Sequence, residues 1–357
     1  MKWIVREQQK KESEFNAGSK ARNDVDSILV GEGYDPLVAN SELDESQGAA
    51  KKILLQFTRY GEWKKCIKSL KSGDTVVIQY PVRNHTLFFG NVLKKIQKKN
   101  VTIIGIIHDL ESLRLAISEN SPAVSKLRFK YEELSALKYF AKIIVHNEHM
   151  RKAIHEFFDV PMDKMVNLEI FDYLYEAKGQ EEHAVFGGPV IIAGNLDKNK
   201  CGYVYDLPED IDFALYGANY DESAQKSKKA AYMGKVKPDE LPGVLKGSFG
   251  LVWDGPTGDG CTGVFGEYLK YNNPHKASLY LASGLPIIVW KESALADFVE
   301  KHGCGIIVES IDEIRSTVET MSLDRYQDIL RKTLEDSQAI RQGKYMTEAL
   351  RLALEID

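Results

Sequence analysis

The chain has 357 residues, of which 43% are hydrophobic and 28% charged, and it contains only 11 prolines. This composition excludes long disordered tracts, and because a domain usually holds about 100–200 residues, the length predicts two domains. The net charge of -5 argues against nucleic acid as the main partner, because binding a polyanion normally needs a basic surface.

The first apolar run, the length of the apolar segments and the cysteine spacing indicate the cellular compartment of the protein. The first apolar run, Trp3-Ile4-Val5, is too short for a signal-peptide core, and no segment reaches the roughly 18 apolar residues of a membrane span. We therefore expect a cytoplasmic protein, with peripheral attachment to the inner face of the cell membrane left open. The cysteines at positions 66, 201, 261 and 304 show no CxxC spacing and predict reduced thiols.

The first half of the sequence alternates short β-prone runs with segments of helical periodicity, as in βα units that build a parallel sheet. The predicted strands are 2–6, 36–38, 75–80, 101–107 and 142–146. The predicted helices between them are 46–70, 86–98, 125–140 and 148–158.

A polar stretch over residues 176–183 predicts a linker, and a second alternating series follows it. Its predicted strands are 189–193, 212–216, 249–253, 286–289 and 305–308. Residues 323–357 contain no strand-like run and carry apolar residues at helical spacing, which predicts a terminal helical segment. The sequence therefore predicts two α/β halves of similar size.

The most informative segment precedes the strand predicted at 286–289. Asn273 suits a helix N-cap, and Pro274 suits the first helical position, where its missing N–H costs nothing. His275 and Lys276 then lie in the first turn, where free N–H groups and the positive end of the helix dipole disfavour an ammonium.

A bound anion would remove this conflict. A pyrophosphate on the helix start, contacted by Lys276 and by the hydroxyl of Ser278, is the interpretation that we favour. The alternative is that Lys276 is a solvated surface residue and that Asn-Pro only marks a helix boundary.

Further candidate ligands follow other strands of the second half. Asn195 and Lys200 come after the strand predicted at 189–193, and Tyr216 and Gly217 lie at the end of the next one. Ligands of open parallel sheets bind at the carboxyl ends of strands, so we expect these residues and Lys276 to face one crevice. For Tyr216, packing in the core is an equal alternative.

In the first half, His108 and Asp109 follow the strand predicted at 101–107. Either side chain can take a proton from a hydroxyl group if its surroundings tune its pKa. The alternative is that Asp109 caps the next helix and His108 satisfies backbone groups.

Near the amino terminus, Asn16, Gly18 and Lys20 lead into a predicted helix, and a glycine there lets a ligand approach the backbone. The segment is not a G-x-G-x-x-G fingerprint, so support for a nicotinamide cofactor is weak. His146 and His149 have no carboxylate or cysteine at ligand spacing, and we predict no metal site.

Seven segments resemble the bacterial β-1,6-galactofuranosyltransferases of surface-polysaccharide assembly and, more distantly, the glucosyltransferases of streptococcal adhesin glycosylation. They are NAGSKAR (16–22), IIHDLESLR (106–114), IFDYL (170–174), AGNL (193–196), GLVWDG (250–255), FGEYLKYNNPHK (265–276) and ALADF (294–298). They extend over nearly the whole chain, and the run that ends at Lys276 is the most specific.

This resemblance implies an α/β fold of the GT-B type, with two Rossmann-like domains that face a central cleft. The N-terminal acceptor domain would comprise residues 1–175, and the C-terminal nucleotide-sugar-binding domain residues 184–335. A C-terminal helix, 336–357, would return to the first domain.

The resemblance also implies the roles of the candidate residues. The nucleotide-sugar-binding set comprises Asn195, Lys200, Tyr216, Gly217, Asn273, His275, Lys276 and Ser278, with Lys276 on the diphosphate. The catalytic candidates nearest the acceptor are Asp109 and His108, and Asn16, Gly18 and Lys20 would form an acceptor loop.

The activity implied is a metal-independent transfer of a hexose, with galactofuranose favoured, from a UDP-sugar to a saccharide or lipid-linked oligosaccharide acceptor. The UDP-sugar is a substrate, and no cofactor is expected. Lys276 and the helix start would stabilise the departing UDP, while Asp109, or as second choice His108, would deprotonate the acceptor hydroxyl for an inverting displacement.

Two alternatives stay open. One is a UDP-glucose-dependent glucosyltransferase that acts on a GlcNAc-modified, serine-rich adhesin. The other is a non-catalytic, UDP-sugar-binding partner subunit. The apolar terminal helices are compatible with a homo-oligomer.

Overall fold

The structure is a computed structural model that describes residues 1–8, 17–40, 49–117, 122–177 and 183–355. The strands are β1 (Lys2–Gln8), β2 (Asp35–Asn40), β3 (Thr75–Tyr80), β4 (Thr102–Ile107), β5 (Lys142–Val145), β6 (Met165–Asn167), β7 (Val190–Asn195), β8 (Phe213–Ala218), β9 (Ala230–Tyr232), β10 (Phe249–Val252), β11 (Ile287–Trp290) and β12 (Gly305–Val308).

The helices alternate with these strands over most of the chain. They are α1 (Ala17–Gly31), α2 (Ala49–Cys66), α3 (Phe89–Gln97), α4 (Glu111–Ile117), α5 (Ala123–Leu137), α6 (Glu148–Phe158), α7 (Gly263–Tyr268), α8 (His275–Ala282), α9 (Leu295–His302), α10 (Glu313–Glu319), α11 (Leu323–Arg341) and α12 (Lys344–Glu355).

Two parallel sheets organise these elements. The first has the order β2-β1-β3-β4-β5-β6, and the second has the order β12-β11-β10-β7-β8-β9. Their central strands are nearly continuous apolar runs, as expected of parallel strands that are covered on both faces: β3 and β4 each bury five of six residues, and β10 and β11 are buried throughout.

The second sheet has apolar clusters that fix its strands and helices. One cluster includes Tyr203, Phe249, Trp253 and Tyr326, and another packs α8 and α9 through Tyr280, Leu281 and Phe298. Burial of these large side chains supplies the main stabilising term of this sheet and holds the start of α8 at a fixed place.

The ten predicted strands are all present, and the structure adds β6 and β9. These two strands have three residues each and lie at sheet edges, so their sequences are too short to show a periodic pattern. The predicted terminal helical segment is two helices, α11 and α12, which separate at Gly343, where φ is +76°. Residue 336, the predicted start of a C-terminal helix, lies inside α11.

The described residues divide into two compact units. The first comprises the described parts of 1–8, 25–168 and 346–355, and the second comprises those of 17–24 and 169–345. No helix in the described ranges is long and apolar enough to cross a membrane. The predicted linker at 176–183 lies largely outside the described residues.

Candidate active site

The second sheet reverses its strand order between β7 and β10, because β8 and β9 lie on one side of β7 and β10 to β12 on the other. Ligands of open parallel sheets bind at the carboxyl ends of strands at such a point. β7 ends at Asn195, and Asp254 lies just past the end of β10. The backbone oxygen of Lys200 accepts a 2.9 Å hydrogen bond from the N–H of Gly255, which joins the loops after these two strands.

Lys276 reaches this edge of the sheet from the first turn of α8. Its Nζ donates to the backbone oxygen of Trp253 at 2.7 Å and to Oδ1 of Asp254 at 2.8 Å. The side chains of Lys276 and Asp254 are only 12% and 7% exposed. Burial alone would lower the pKa of the Lys276 ammonium, but Asp254 and the neighbouring groups of Cys201 and Tyr280 together outweigh burial, and the pKa is raised. Lys276 is therefore a buried cation, not the solvated residue of the alternative interpretation.

The start of α8 differs by one residue from the prediction. The helix begins at His275 and its N-cap is Pro274, with φ -69° and ψ 141°, so Asn273 is not the N-cap. The extended ψ of Pro274 delays the helix, and the amide of Asn273 donates instead to the backbone oxygen of Glu169. Because proline has no side-chain acceptor, the N-cap residue of α8 makes no side-chain hydrogen bond to the first turn, and we call this turn uncapped in that sense.

His275 is a packed, neutral residue. Its ring stacks on Tyr173 with ring centres 4.9 Å apart, and its Nε2 donates to the backbone oxygen of Asp172 at 3.3 Å. Burial lowers the pKa of His275 to about 4, so the imidazole is uncharged near pH 7. It therefore adds no second positive charge to the first turn, and its role as a nucleotide ligand stays a prediction.

Ser278 lies within α8, two positions after Lys276. Its hydroxyl is buried and has no hydrogen-bond partner among the described residues. A buried hydroxyl without a partner costs about 1–3 kcal/mol. An oxygen atom of a ligand could accept this hydrogen bond, so Lys276, Ser278 and the uncapped turn together suit an anion.

The remaining candidates of this unit occupy the ends of β7 and β8. Oδ1 of Asn195 accepts a 2.8 Å hydrogen bond from Nδ2 of Asn219. Tyr216 belongs to the apolar core, as its packing alternative predicts. At Gly217, where φ is +154°, an added Cβ would lie 1.8 Å from the backbone oxygen of Gly194, so only glycine fits between these strand ends.

The surroundings of the two remaining candidate lysines, Lys200 and Lys20, differ, and the role of Lys200 as a nucleotide ligand stays a prediction. Nζ of Lys200 lies 5.9 Å from the centre of the Phe265 ring. Lys20 belongs to the second unit and not to the first, because its Nζ donates to Oδ1 of Asp24 at 2.7 Å and lies 2.9 Å from Oδ1 of Asp239.

The surroundings of Lys20 connect it to α8. Its Nζ also donates to the backbone oxygen of Leu174 at 2.8 Å and lies 5.0 Å from the centre of the Tyr173 ring, which stacks on His275. Of the other two residues of the predicted acceptor loop, Gly18 lies in the first turn of α1, and Asn16 lies outside the described residues.

His108 follows β4 in the first unit and is held from three sides. Its backbone N–H donates to the oxygen of Tyr80 at 2.7 Å, and its backbone oxygen accepts a 2.9 Å hydrogen bond from Nε2 of His146. Its ring Nε2 lies 2.7 Å from Oε1 of Gln79. His108 thus has a fixed, half-buried ring at the carboxyl end of the sheet.

Asp109 pairs with Arg114 and does not cap α4. Its Oδ1 accepts a 2.9 Å hydrogen bond from Nη2 of Arg114. The first N–H groups of α4 donate instead to the buried carboxylate of Glu133, at 2.6 Å from Glu111 and 3.2 Å from Ser112. The alternative that Asp109 is the N-cap is therefore wrong, because a carboxylate from α5 takes that role.

Sequence reasoning did not select Asp254 or Gln79 as a member of these sites. Asp254 follows a buried strand of the second sheet, so its position after a strand was a usable signal. Gln79 lies inside β3, a nearly continuous buried run, and its local sequence gave no reason to select it.

The fold and the relatives of this chain define the class. The E. coli structure described as trehalose-6-phosphate bound with UDP-2-fluoro glucose aligns with this chain at a TM-score of 0.61 and 10% identity, and the alignment covers 100% of both chains. This likeness shows a GT-B fold. Together with the relatives below, it makes the protein a GT-B glycosyltransferase.

The particular family follows from the sequence comparisons. The glucosyltransferase 3-like N-terminal domain matches residues 1–170, and the glucosyltransferase 3-like C-terminal domain matches residues 190–353. The chain is 33% identical to the β-1,6-galactofuranosyltransferase WbbI of Escherichia coli (strain K12) over 79% of each chain. It is 25% identical to glucosyltransferase 3 of Streptococcus gordonii, again over 79% of each chain. The protein belongs to this glycosyltransferase family, and the resemblance predicted from the sequence is confirmed.

Proposed function

We propose that this glycosyltransferase takes a hexose, with galactofuranose favoured, from a UDP-sugar and transfers it to a saccharide acceptor in cell-surface polysaccharide synthesis. The observation that carries the proposal is the buried Lys276 ammonium beside the uncapped first turn of α8. The relative WbbI, a β-1,6-galactofuranosyltransferase, supports the choice of sugar, and the GT-B structure with bound UDP-2-fluoro glucose supports the choice of nucleotide.

The leaving group gains negative charge as the bond between sugar and diphosphate breaks. The cation of Lys276 and the positive end of α8 would stabilise that charge, in the role that a metal ion has in other transferases. The hydroxyl of Ser278 would donate to a diphosphate oxygen and so gain the partner that it lacks among the described residues. We therefore propose a reaction that needs neither a metal ion nor a cofactor.

The first unit would supply the base of an inverting displacement. His108 and Asp109 are the candidates, and the structure gives them different partners. Asp109 has one carboxylate oxygen engaged by Arg114, whereas His108 has its ring Nε2 engaged by Gln79. In a neutral imidazole whose Nε2 carries the hydrogen, Nδ1 has a lone pair and can accept one proton. We therefore favour His108 over Asp109 as the base.

A second candidate function is supported by the family itself. Its two domain descriptions and the S. gordonii relative are named as glucosyltransferases, so transfer of glucose from UDP-glucose to a GlcNAc-modified, serine-rich adhesin is the rival. A lipid-linked saccharide as acceptor would instead bring the enzyme to the inner face of the cell membrane.

The donor decides between these proposals. Isothermal titration with UDP, UDP-glucose, UDP-galactopyranose and UDP-galactofuranose in EDTA, followed by UDP-release assays with saccharide acceptors, would identify it. Lys276→Ala is the test variant, and Lys291→Ala is its control, because Lys291 is an exposed lysine of the same unit that pairs with Glu309. We expect UDP binding in EDTA that only Lys276→Ala abolishes, and release of UDP fastest from UDP-galactofuranose.

Three other results would contradict parts of this proposal. Fastest release from UDP-glucose would replace galactofuranose with glucose. Binding that requires a divalent cation would contradict the metal-independent reaction. Tight UDP binding with no release from any donor and acceptor would favour the non-catalytic subunit.

A further inference from the structure

Three polar side chains of the first unit form a chain that ends at the ring of His108. Oδ1 of Asp26, in α1, accepts a 2.8 Å hydrogen bond from Nε2 of Gln79, in β3. Oε1 of the same Gln79 amide lies 2.7 Å from Nε2 of His108. Only 5% of Gln79 is exposed, so water does not compete well for its amide.

The order of donors and acceptors in this chain is fixed by chemistry. An ionised carboxylate only accepts hydrogen bonds, so the NH₂ group of Gln79 must face Asp26. The carbonyl oxygen of Gln79 then faces His108, and an oxygen can only accept. The Nε2 atom of His108 must therefore carry a hydrogen, which leaves Nδ1 as the nitrogen with the lone pair when the ring is neutral.

The environment of Asp26 supports its ionised state. Nε of Arg6 lies 3.7 Å from Oδ2 of Asp26, and Nη2 of Arg6 donates to the backbone oxygen of Asp26 at 3.3 Å. A guanidinium at this distance favours the carboxylate. Among the described residues that follow β4, Arg114 forms ion pairs with both Asp109 and Glu111, and the ring of His146 donates to the backbone oxygen of His108.

We propose that Asp26 and Gln79 act as a relay that holds His108 in the Nε2–H form, so that Nδ1 is the atom that takes a proton in the reaction. Gln79 is in this sense a positioning residue: it contacts the ring and not the reacting sugar. The assignment of Nδ1 rests on the proposed role of His108 as the base, whereas the relay itself does not.

The tautomer can be measured without any activity. Nitrogen-detected NMR of the full chain labelled with ¹⁵N-histidine distinguishes a protonated ring nitrogen from an unprotonated one, and the His108→Gln variant assigns the signals of His108. We expect Nε2 protonated and Nδ1 unprotonated above the titration of the ring, and Nδ1 to gain the proton as the pH falls. A neutral ring with its hydrogen on Nδ1 would overturn the proposal. This measurement is made with Asp26 and Gln79 unchanged.

A swap of charge tests the coupling. In the double variant Asp26→Asn/Gln79→Glu, the amide moves to position 26 and the carboxylate moves next to His108, so every donor still meets an acceptor. A carboxylate on Nε2–H favours the imidazolium, and the pKa of His108 should rise by about 1–3 units. The double variant leaves the net charge unchanged, so Gln97→Glu is the control for a newly introduced carboxylate alone, at an exposed position of α3.

The NMR titration and the pH dependence of kcat/KM separate the two levels of the proposal. A rise in the pKa of His108 in the double variant only, accompanied by an equal shift of the acidic limb of kcat/KM, supports the relay and the base. A rise in the pKa with an unmoved acidic limb supports the relay and overturns the role of His108 as the base. A titration of His108 that moves no more than in Gln97→Glu overturns the relay.

Discussion

The buried pair of Lys276 and Asp254 gives the sharpest prediction, because its loss should affect stability and catalysis separately. Lys276→Met keeps most of the volume of the side chain and removes its charge. The Asp254 carboxylate, which is 7% exposed, then loses its cation at 2.8 Å. At that distance and an effective dielectric constant of about 20, the Coulomb attraction that is lost is about 6 kcal/mol.

The expected cost is smaller than this attraction, because water and neighbouring dipoles respond to the uncompensated charge. Removing one partner of a buried pair typically lowers the free energy of unfolding by about 3–5 kcal/mol. The same change removes the cation from the leaving group, for which a loss of about 10²–10³-fold in kcat is typical of one electrostatic contact.

A second variant separates the two effects. In Lys276→Met/Asp254→Asn the carboxylate has gone as well, so we expect most of the lost stability to return, while kcat and the affinity for UDP stay low. Urea unfolding followed by tryptophan fluorescence measures the first quantity, and UDP release and isothermal titration measure the second. The exposed Lys291→Met variant should match the wild type in every assay.

Two results would refute this reasoning. If Lys276→Met unfolds at the wild-type urea concentration, the ion pair does not have the strength that its burial implies. If the double variant regains UDP affinity along with stability, Lys276 holds the fold and does not contact the diphosphate.

Three further predictions follow from single residues. Ser278→Ala should leave the free energy of unfolding unchanged or raise it by up to about 1 kcal/mol, since its hydroxyl has no partner among the described residues, and should weaken UDP binding about fivefold to tenfold by titration. Ser283→Ala is its control, because that hydroxyl donates within α8 and its loss should affect stability alone. Gly217→Ala should cost more than about 3 kcal/mol in urea unfolding, since its Cβ would overlap a backbone oxygen of β7, whereas Gly61→Ala, in α2 with open space around it, should stabilise by about 0.5–1 kcal/mol. Burial would lower the pKa of His302, but two carboxylate neighbours outweigh it and raise the pKa to about 9. Its folded pKa thus exceeds the unfolded value of about 6.5, so about 3 kcal/mol of stability present below pH 6.5 should be lost as the pH rises to 9, and His302→Gln should abolish that part of the pH dependence.

The contradictory outcomes are equally direct. A loss of stability in Ser278→Ala with unchanged UDP binding would make its hydroxyl structural. A Gly217→Ala variant as stable as the wild type would show that the strand ends separate easily. Unfolding curves of the wild type and of His302→Gln with the same pH dependence from 6.5 to 9 would show that this histidine is uncharged in the folded protein.

The local elements of this protein could be predicted from its sequence. Short apolar runs predicted the ten longer strands, and the signal is clearest for the central strands, because a strand that is covered on both faces must be apolar along its length. The first turn of α8 around Lys276 could also be predicted, because Pro274 and the periodic residues after it encode a helix start within a few positions. Sequence motifs spread along the whole chain identified the family.

The tertiary structure decided which of these residues meet. Lys276 forms an ion pair with Asp254, Lys20 forms one with Asp239, and Gln79 donates a hydrogen bond to Asp26. In each case the partner is distant in the sequence. No local pattern encodes such a pair, since a buried charge or amide is satisfied by whatever group the packed strands and helices bring to it. The same reason explains Asn273, which suited an N-cap by its sequence but donates to the backbone of Glu169 in the fold.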